Sequence, residues 1–124
     1  MPIVLVALGG AAGAVSRYLV DGFVSERLGG EFPWGTLVIN ASGAFVLGLL
    51  FSLAIERSVL PASIRAPLMI GFLGAYTTFS TWVLESWRLA EDGALALALA
   101  NITGSVVIGL VAVFAGIALG RVLG

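Results

Sequence analysis

Gly71-Phe72-Leu73-Gly74-Ala75-Tyr76-Thr77-Thr78-Phe79-Ser80-Thr81-Trp82 is an apolar stretch that reads poorly as a regular helix. It holds two glycines and four Ser or Thr hydroxyls within 12 positions, and both residue types weaken a helix interior. Yet it lies inside a hydrophobic segment running from about Leu68 to Trp87. Non-helical backbone is tolerated at membrane depth only where it is buried in protein or lines a cavity. Broken helices there often use freed carbonyls to hold a cation. The stretch predicts a membrane helix with a break in it, and beside the break a path or an ion site.

The rest of the chain agrees with a membrane setting. Of 124 residues, 60% are apolar and only 10% are charged, and the mean hydropathy is +1.12. A soluble domain carries about 25% charged residues, so water could not wet this surface all round. Four spans of about 20 residues can be drawn, at roughly 3–24, 34–55, 68–87 and 94–120, within one domain covering 1–124. Arg17 and Asp21 interrupt the first, and the second carries no charge before Glu56. Gly29, Gly30 and Pro33 mark the first loop, and Glu56 to Pro67 form a polar connector with room for a short interfacial turn. The fold class is all-α: a polytopic membrane protein of four helices in a compact antiparallel bundle. Met1 to Ser16 contains no Lys or Arg, so the first segment reads as a span rather than a cleaved signal peptide.

Composition also excludes functions. There is no Cys and no His, which removes thiolate and imidazole chemistry and the common transition-metal sites. The net charge of −1 gives no footprint for nucleic acid. No nucleophile–base constellation is visible, so the chain is not expected to be an enzyme. No acidic residue lies deep in a span, which disfavours a proton-coupled carrier.

Polar groups inside the spans are the candidate functional residues. Asn40 lies about two turns into the second span. It could bond another helix, or its amide could donate to a passing anion. Asn101 and Ser105 are four apart in the last span and share a face that Gly109 extends, either as helix contact or as a polar track. Arg17 could pair with Asp21 at i, i+4, or reach an aqueous vestibule and attract anions. Gly9 with Gly13 and Gly116 with Gly120 have the spacing of close helix packing.

Basic residues set membrane orientation. One side carries Arg57, Arg65 and Arg121, and the other Arg27 and Arg88, with Arg17 toward the second side. So balanced a count is either what a chain inserting in both directions would have or too small a sample to set orientation, and in the first case two copies could pair as an antiparallel homodimer.

Together these residues resemble the Fluc family of fluoride channels, also called CrcB, over essentially the full length. The matching segments are Gly9-Gly10-Ala11-Ala12-Gly13-Ala14-Val15-Ser16-Arg17-Tyr18, Gly35-Thr36-Leu37-Val38-Ile39-Asn40, and Gly71-Phe72-Leu73-Gly74 with Thr77-Thr78-Phe79-Ser80-Thr81. The resemblance implies a passive, selective channel exporting fluoride from the cytoplasm, placed as a multi-pass protein in the cell inner (plasma) membrane. It implies a dual-topology antiparallel homodimer with two pores. It also implies a sodium ion at the dimer centre, held by backbone carbonyls that map to Gly74 and Thr77. The implied pore residues are Asn40, Phe79, Ser80, Thr81, Trp82, Ser105 and Asn101, with Arg17 toward a vestibule. The chain departs from the family pattern in three places: Trp82 stands where a second phenylalanine is usual, Ala75 where glycine is usual, and Asn101 and Gly109 occupy the track of the last span. A small multidrug or guanidinium exporter of four spans is the alternative, but it needs a Glu in the first span, and Met1 to Val20 has none. A structural membrane subunit is a second alternative, and it leaves the broken span without a purpose.

Overall fold

The computed structural model describes all residues, Met1–Gly124, and every regular element in it is helical. Helix α1 runs Pro2–Leu28, and α2 runs Trp34–Phe51 before loosening into a π-helical turn at Ser52–Glu56. The third span is composite. It comprises α3 (Ala62–Ala66), a π-helical turn at Pro67–Phe72, α4 (Leu73–Tyr76) and α5 (Ser80–Glu91). Helix α6, Leu95–Leu123, closes the chain.

Four segments are long and apolar enough to cross a membrane: Pro2–Leu28, Trp34–Glu56, Ala62–Glu91 and Leu95–Leu123. At 1.5 Å per residue each exceeds a hydrocarbon core of about 30 Å. The expected spans are therefore present, each extended at one or both ends. Arg17 and Asp21 do not interrupt α1. Where the middle connector was expected to have room for a short interfacial turn, a short helix, Ala62–Ala66, begins the third span.

Only 17 of 124 residues are buried, so most of the large apolar side chains face outward, as lipid contact requires. Helix α2 lies at the centre and packs chiefly on α6, while α1 packs on the Pro67–Phe72 turn and on α4. Glycines make both crossings close. A methyl group at Gly13 would strike the Phe72 carbonyl, and one at Gly71 would lie 2.6 Å from the Val6 carbonyl. On the other side Gly48 abuts the Val113 backbone, and Gly116 abuts Phe45 and Leu49. Both glycine pairs seen in the sequence thus serve packing within the chain. Pro67, which cannot donate a helical hydrogen bond, opens the π turn that presses against α1.

Candidate functional site

The third span loses its helical path at Thr77, whose φ of −83° and ψ of 159° are extended. Phe79 returns to helical angles, and α5 starts at Ser80. Two hydrogen bonds that a continuous helix would form are replaced. The Thr78 N–H, which would bond Gly74 O, donates instead to Asn40 Oδ1 at 2.8 Å. The Thr81 N–H, which would bond Thr77 O, reaches Thr78 Oγ1 at 3.3 Å. The Gly74 and Thr77 carbonyls therefore receive no bond from the chain.

Asn40 closes the break from the neighbouring helix. Its Nδ2 donates to Thr78 O at 2.9 Å while its Oδ1 accepts from Thr78 N at 2.8 Å. One side-chain amide so satisfies both main-chain polar groups of Thr78, which would be costly to leave unpaired in lipid. The second Nδ2 hydrogen is not used in this pair. Nearby, Ser42 and Tyr76 share a hydroxyl contact of 2.9 Å, and Thr77 Oγ1 donates back to Leu73 O at 2.9 Å.

A cavity of about 370 Å³ opens at this point, lined by Asn40, Gly74, Thr77, Thr78, Phe79 and Trp82 with apolar neighbours from α2, the π turn and α6. No charged side chain lines it. Phe79 and Trp82 meet there edge to face, with ring centroids 5.7 Å apart and planes at 61°. A second cavity of about 200 Å³ lies on the other side of Thr78, lined by Arg17, Tyr18, Asp21, Thr36, Thr78 and Thr81 among others. Arg17 and Asp21 share this cavity without forming an ion pair; the one salt bridge of the chain joins Arg121 to Glu56 at 2.8 Å. No group of three His, Cys, Asp or Glu side chains is placed to hold a metal.

The structure thus brings together Asn40, Gly74, Thr77, Phe79 and Trp82 at one cavity, and Arg17 with Thr81 at the other. Ser80 is exposed beside the break and lines neither. Asn101 is fully buried between α5 and α6, its amide donating to Ser86 Oγ at 2.8 Å. Ser105 makes only a long 3.4 Å contact with Asn101 Oδ1. Asn101 thus bonds α5 and Ser105 bonds Asn101 on its own helix, and neither lines the two cavities. Two participants were not singled out from the sequence. Thr78 borders both cavities and carries the Asn40 pair, and Ser86 joins Asn101 to Trp82. The i, i+4 spacing of Trp82 and Ser86 was the available signal for the second.

A family model described as CrcB-like protein, Camphor Resistance (CrcB), matches residues 4–117. The chain is 50% identical over 121 residues to a protein of Hahella chejuensis, covering 98% of this chain and 95% of that one. It is 47% identical over 118 residues to a protein of Solidesulfovibrio magneticus, covering 95% and 94%. It is 45% identical over 123 residues to a protein of Magnetococcus marinus, covering 99% and 100%. Each of these relatives bears the name fluoride-specific ion channel FluC.

Proposed function

The chain belongs to the CrcB family, and from that membership we propose how this multi-pass membrane protein works as a fluoride-specific ion channel. The activity is passive ion conduction and not catalysis. The observation that carries the reading is the cavity at the break, lined by an amide, hydroxyls and aromatic rings and by no charged group. A small anion holds its water tightly, so a pore must offer donors in place of that shell. The site must also be weak enough to release the ion. The free N–H of Asn40, the Thr hydroxyls and the electropositive ring edges of Phe79 and Trp82 meet both demands. Arg17 stands at the second cavity, where a fixed positive charge concentrates anions without trapping them in the narrow path. Thr78 and Thr81 then lie between the vestibule and the aromatic pair, and Ser80 and Ser105 are further hydroxyls of the path in the assembled protein.

The assembly we infer is an antiparallel homodimer in the cell's inner membrane. The balanced arginines support it, and so does the exposure of Phe79, which is 72% exposed in one protomer. A conducting path needs that ring enclosed, and a second copy would enclose it. Sodium fits the same arrangement. The four carbonyls from Gly74 to Thr77 lack helical donors, those of Gly74 and Thr77 among them, and a methyl group at Gly74 would meet nothing within 4 Å, leaving room for an ion and a partner. Oxygen ligands of this kind suit a hard cation, which would fix the two broken helices against one another.

The direct test is fluoride efflux from liposomes holding the purified protein, read with a fluoride electrode and with chloride as control. Fluoride release well above chloride release is expected. No release, or equal release of both ions, would refute the channel reading.

A further inference from the structure

Helices α5 and α6 are joined by a closed ring of three hydrogen bonds around one fully buried residue. The Asn101 amide donates to Ser86 Oγ at 2.8 Å, and Ser86 Oγ donates to Trp82 O at 2.9 Å. The indole Nε1 of Trp82 completes the ring by donating to the main-chain carbonyl of Asn101 at 3.1 Å. Asn101 is 0% exposed and Ser86 is 6% exposed. In such a dry place a satisfied network is rigid, and a half-satisfied one is unfavourable.

The ring fixes more than the spacing of two helices. Trp82 is the one member that also lines the cavity with Asn40 and Phe79. Its N–H, the only strong donor on the side chain, is engaged inside the protomer and is not offered to the cavity. What remains there is the carbon framework of the indole, held edge to face against Phe79. A tryptophan has two rotatable side-chain bonds, and anchoring the far end of the ring sets both.

We propose that Asn101 and Ser86 are positioning residues for conduction: their side chains fix α6 against α5 so that the Asn101 main-chain carbonyl meets the indole N–H, and the carbon ring edge of Trp82 and not its N–H meets the ion. The proposal rests on the reading of this cavity as the fluoride path. It gives Asn101 a place behind the path instead of along it. It also accounts for a tryptophan beside Phe79: once its N–H is tied back, Trp82 presents the same kind of weakly electropositive edge as its neighbour. Loss of the Asn101–Ser86 bond would let α6 shift against α5, draw its main-chain carbonyl away from the indole and leave an unselective N–H donor free to turn into the path.

A double-mutant cycle separates positioning from mere helix packing. Full-length protein carrying Asn101→Ala or Ser86→Ala, each with and without Trp82→Phe, would be compared for fluoride efflux from liposomes. Asn101→Ala should slow efflux roughly tenfold when Trp82 is present, the scale of loss that misplacement of an aligned group produces. With Trp82→Phe already made, no indole remains to hold, and the further loss should be under about twofold. Ser86→Ala is the smaller truncation and should follow the same pattern if Asn101→Ala does not fold. Equal losses in both backgrounds, or no loss in either, would overturn the proposal.

A second readout does not depend on flux. The chain has three tryptophans, so Trp34→Phe with Trp87→Phe leaves Trp82 as the sole indole emitter. Adding Asn101→Ala should shift its emission and lower its anisotropy, and unchanged values would overturn the anchoring role. Unaltered protein that moves no fluoride would defeat the channel reading instead, while the emission still decides whether Asn101 holds Trp82.

Discussion

The side-chain amide of Asn40 and the peptide groups of Thr78 exchange two hydrogen bonds, at 2.9 and 2.8 Å. A residue of α2 therefore takes the place of a missing helical turn in the third span. The substitution Asn40→Asp tests this, because it sets a carboxylate oxygen against the Thr78 carbonyl in place of a donor. Fluoride efflux should fall by more than about tenfold, and the protein should lose about 1–3 kcal/mol, the cost of an unpaired buried polar group. Efflux and melting in detergent, measured on the same preparation, check both.

The aromatic pair should respond unequally. Phe79→Ile removes a ring edge from the cavity and should largely abolish efflux. Trp82→Phe keeps a ring edge and loses an N–H that already bonds Asn101 O at 3.1 Å, so efflux should stay within about threefold of the unaltered protein. Matched liposome assays decide it. An active Phe79→Ile protein would make the ring a packing group.

Close backbone approach makes some glycines irreplaceable and leaves others free. Gly13→Ala would drive a methyl group into the Phe72 carbonyl and should destabilise the protein by about 1–3 kcal/mol, as overpacking does. Gly22→Ala meets nothing within 4 Å and should melt within about a degree or two of the unaltered protein. Thermal melts of the two variants in one detergent give the comparison.

Orientation can be read with a single introduced thiol, because the chain has no cysteine. Ser58 is exposed in the middle connector. With Ser58→Cys, an impermeant reagent should label about half of the molecules from each face of the cell membrane, as balanced basic residues predict. Labelling confined to one face would exclude the antiparallel assembly.

Sodium should stabilise the assembled protein if the freed carbonyls of Gly74 and Thr77 hold it. The melting temperature in detergent should be higher in sodium chloride than in N-methylglucamine chloride at equal ionic strength, since a ligand bound only to the folded state raises stability. Identical melting in the two salts would argue against a sodium site.

How far residues alone revealed this structure depended on the kind of signal. Span existence was legible because lipid demands long apolar helices, and all four are present. The glycine pairs were legible as packing, since small residues four apart imply close approach. Ends were less so: nothing in the composition of Glu56 to Pro67 marks where a π turn stops or where the third span begins. The site divided along the same line. Asn40, Phe79 and Trp82 could be singled out because polar and aromatic groups stand in or near a weakened helix, while their assignment to a path came from the family resemblance. The face shared by Asn101 and Ser105 was also visible, but periodicity states which residues share a face and not what that face meets. Here it meets α5, through Ser86. That direction depends on the rotation of α6, which the distant crossings at Gly48 and Gly116 set.

The short helix Leu73–Tyr76 is fastened at both ends. On one side the Phe72 backbone is wedged against Gly13 of α1, and on the other Asn40 of α2 grips Thr78. A segment of one turn held this way can neither slide nor tilt without disturbing two other helices. It therefore acts as a benchmark, fixing the depth of Gly74 and Thr77 in the membrane relative to the body of the protomer. In the antiparallel assembly proposed above, two copies would align on that mark, and a copy displaced by one helical turn, about 5.4 Å, would find no matching level.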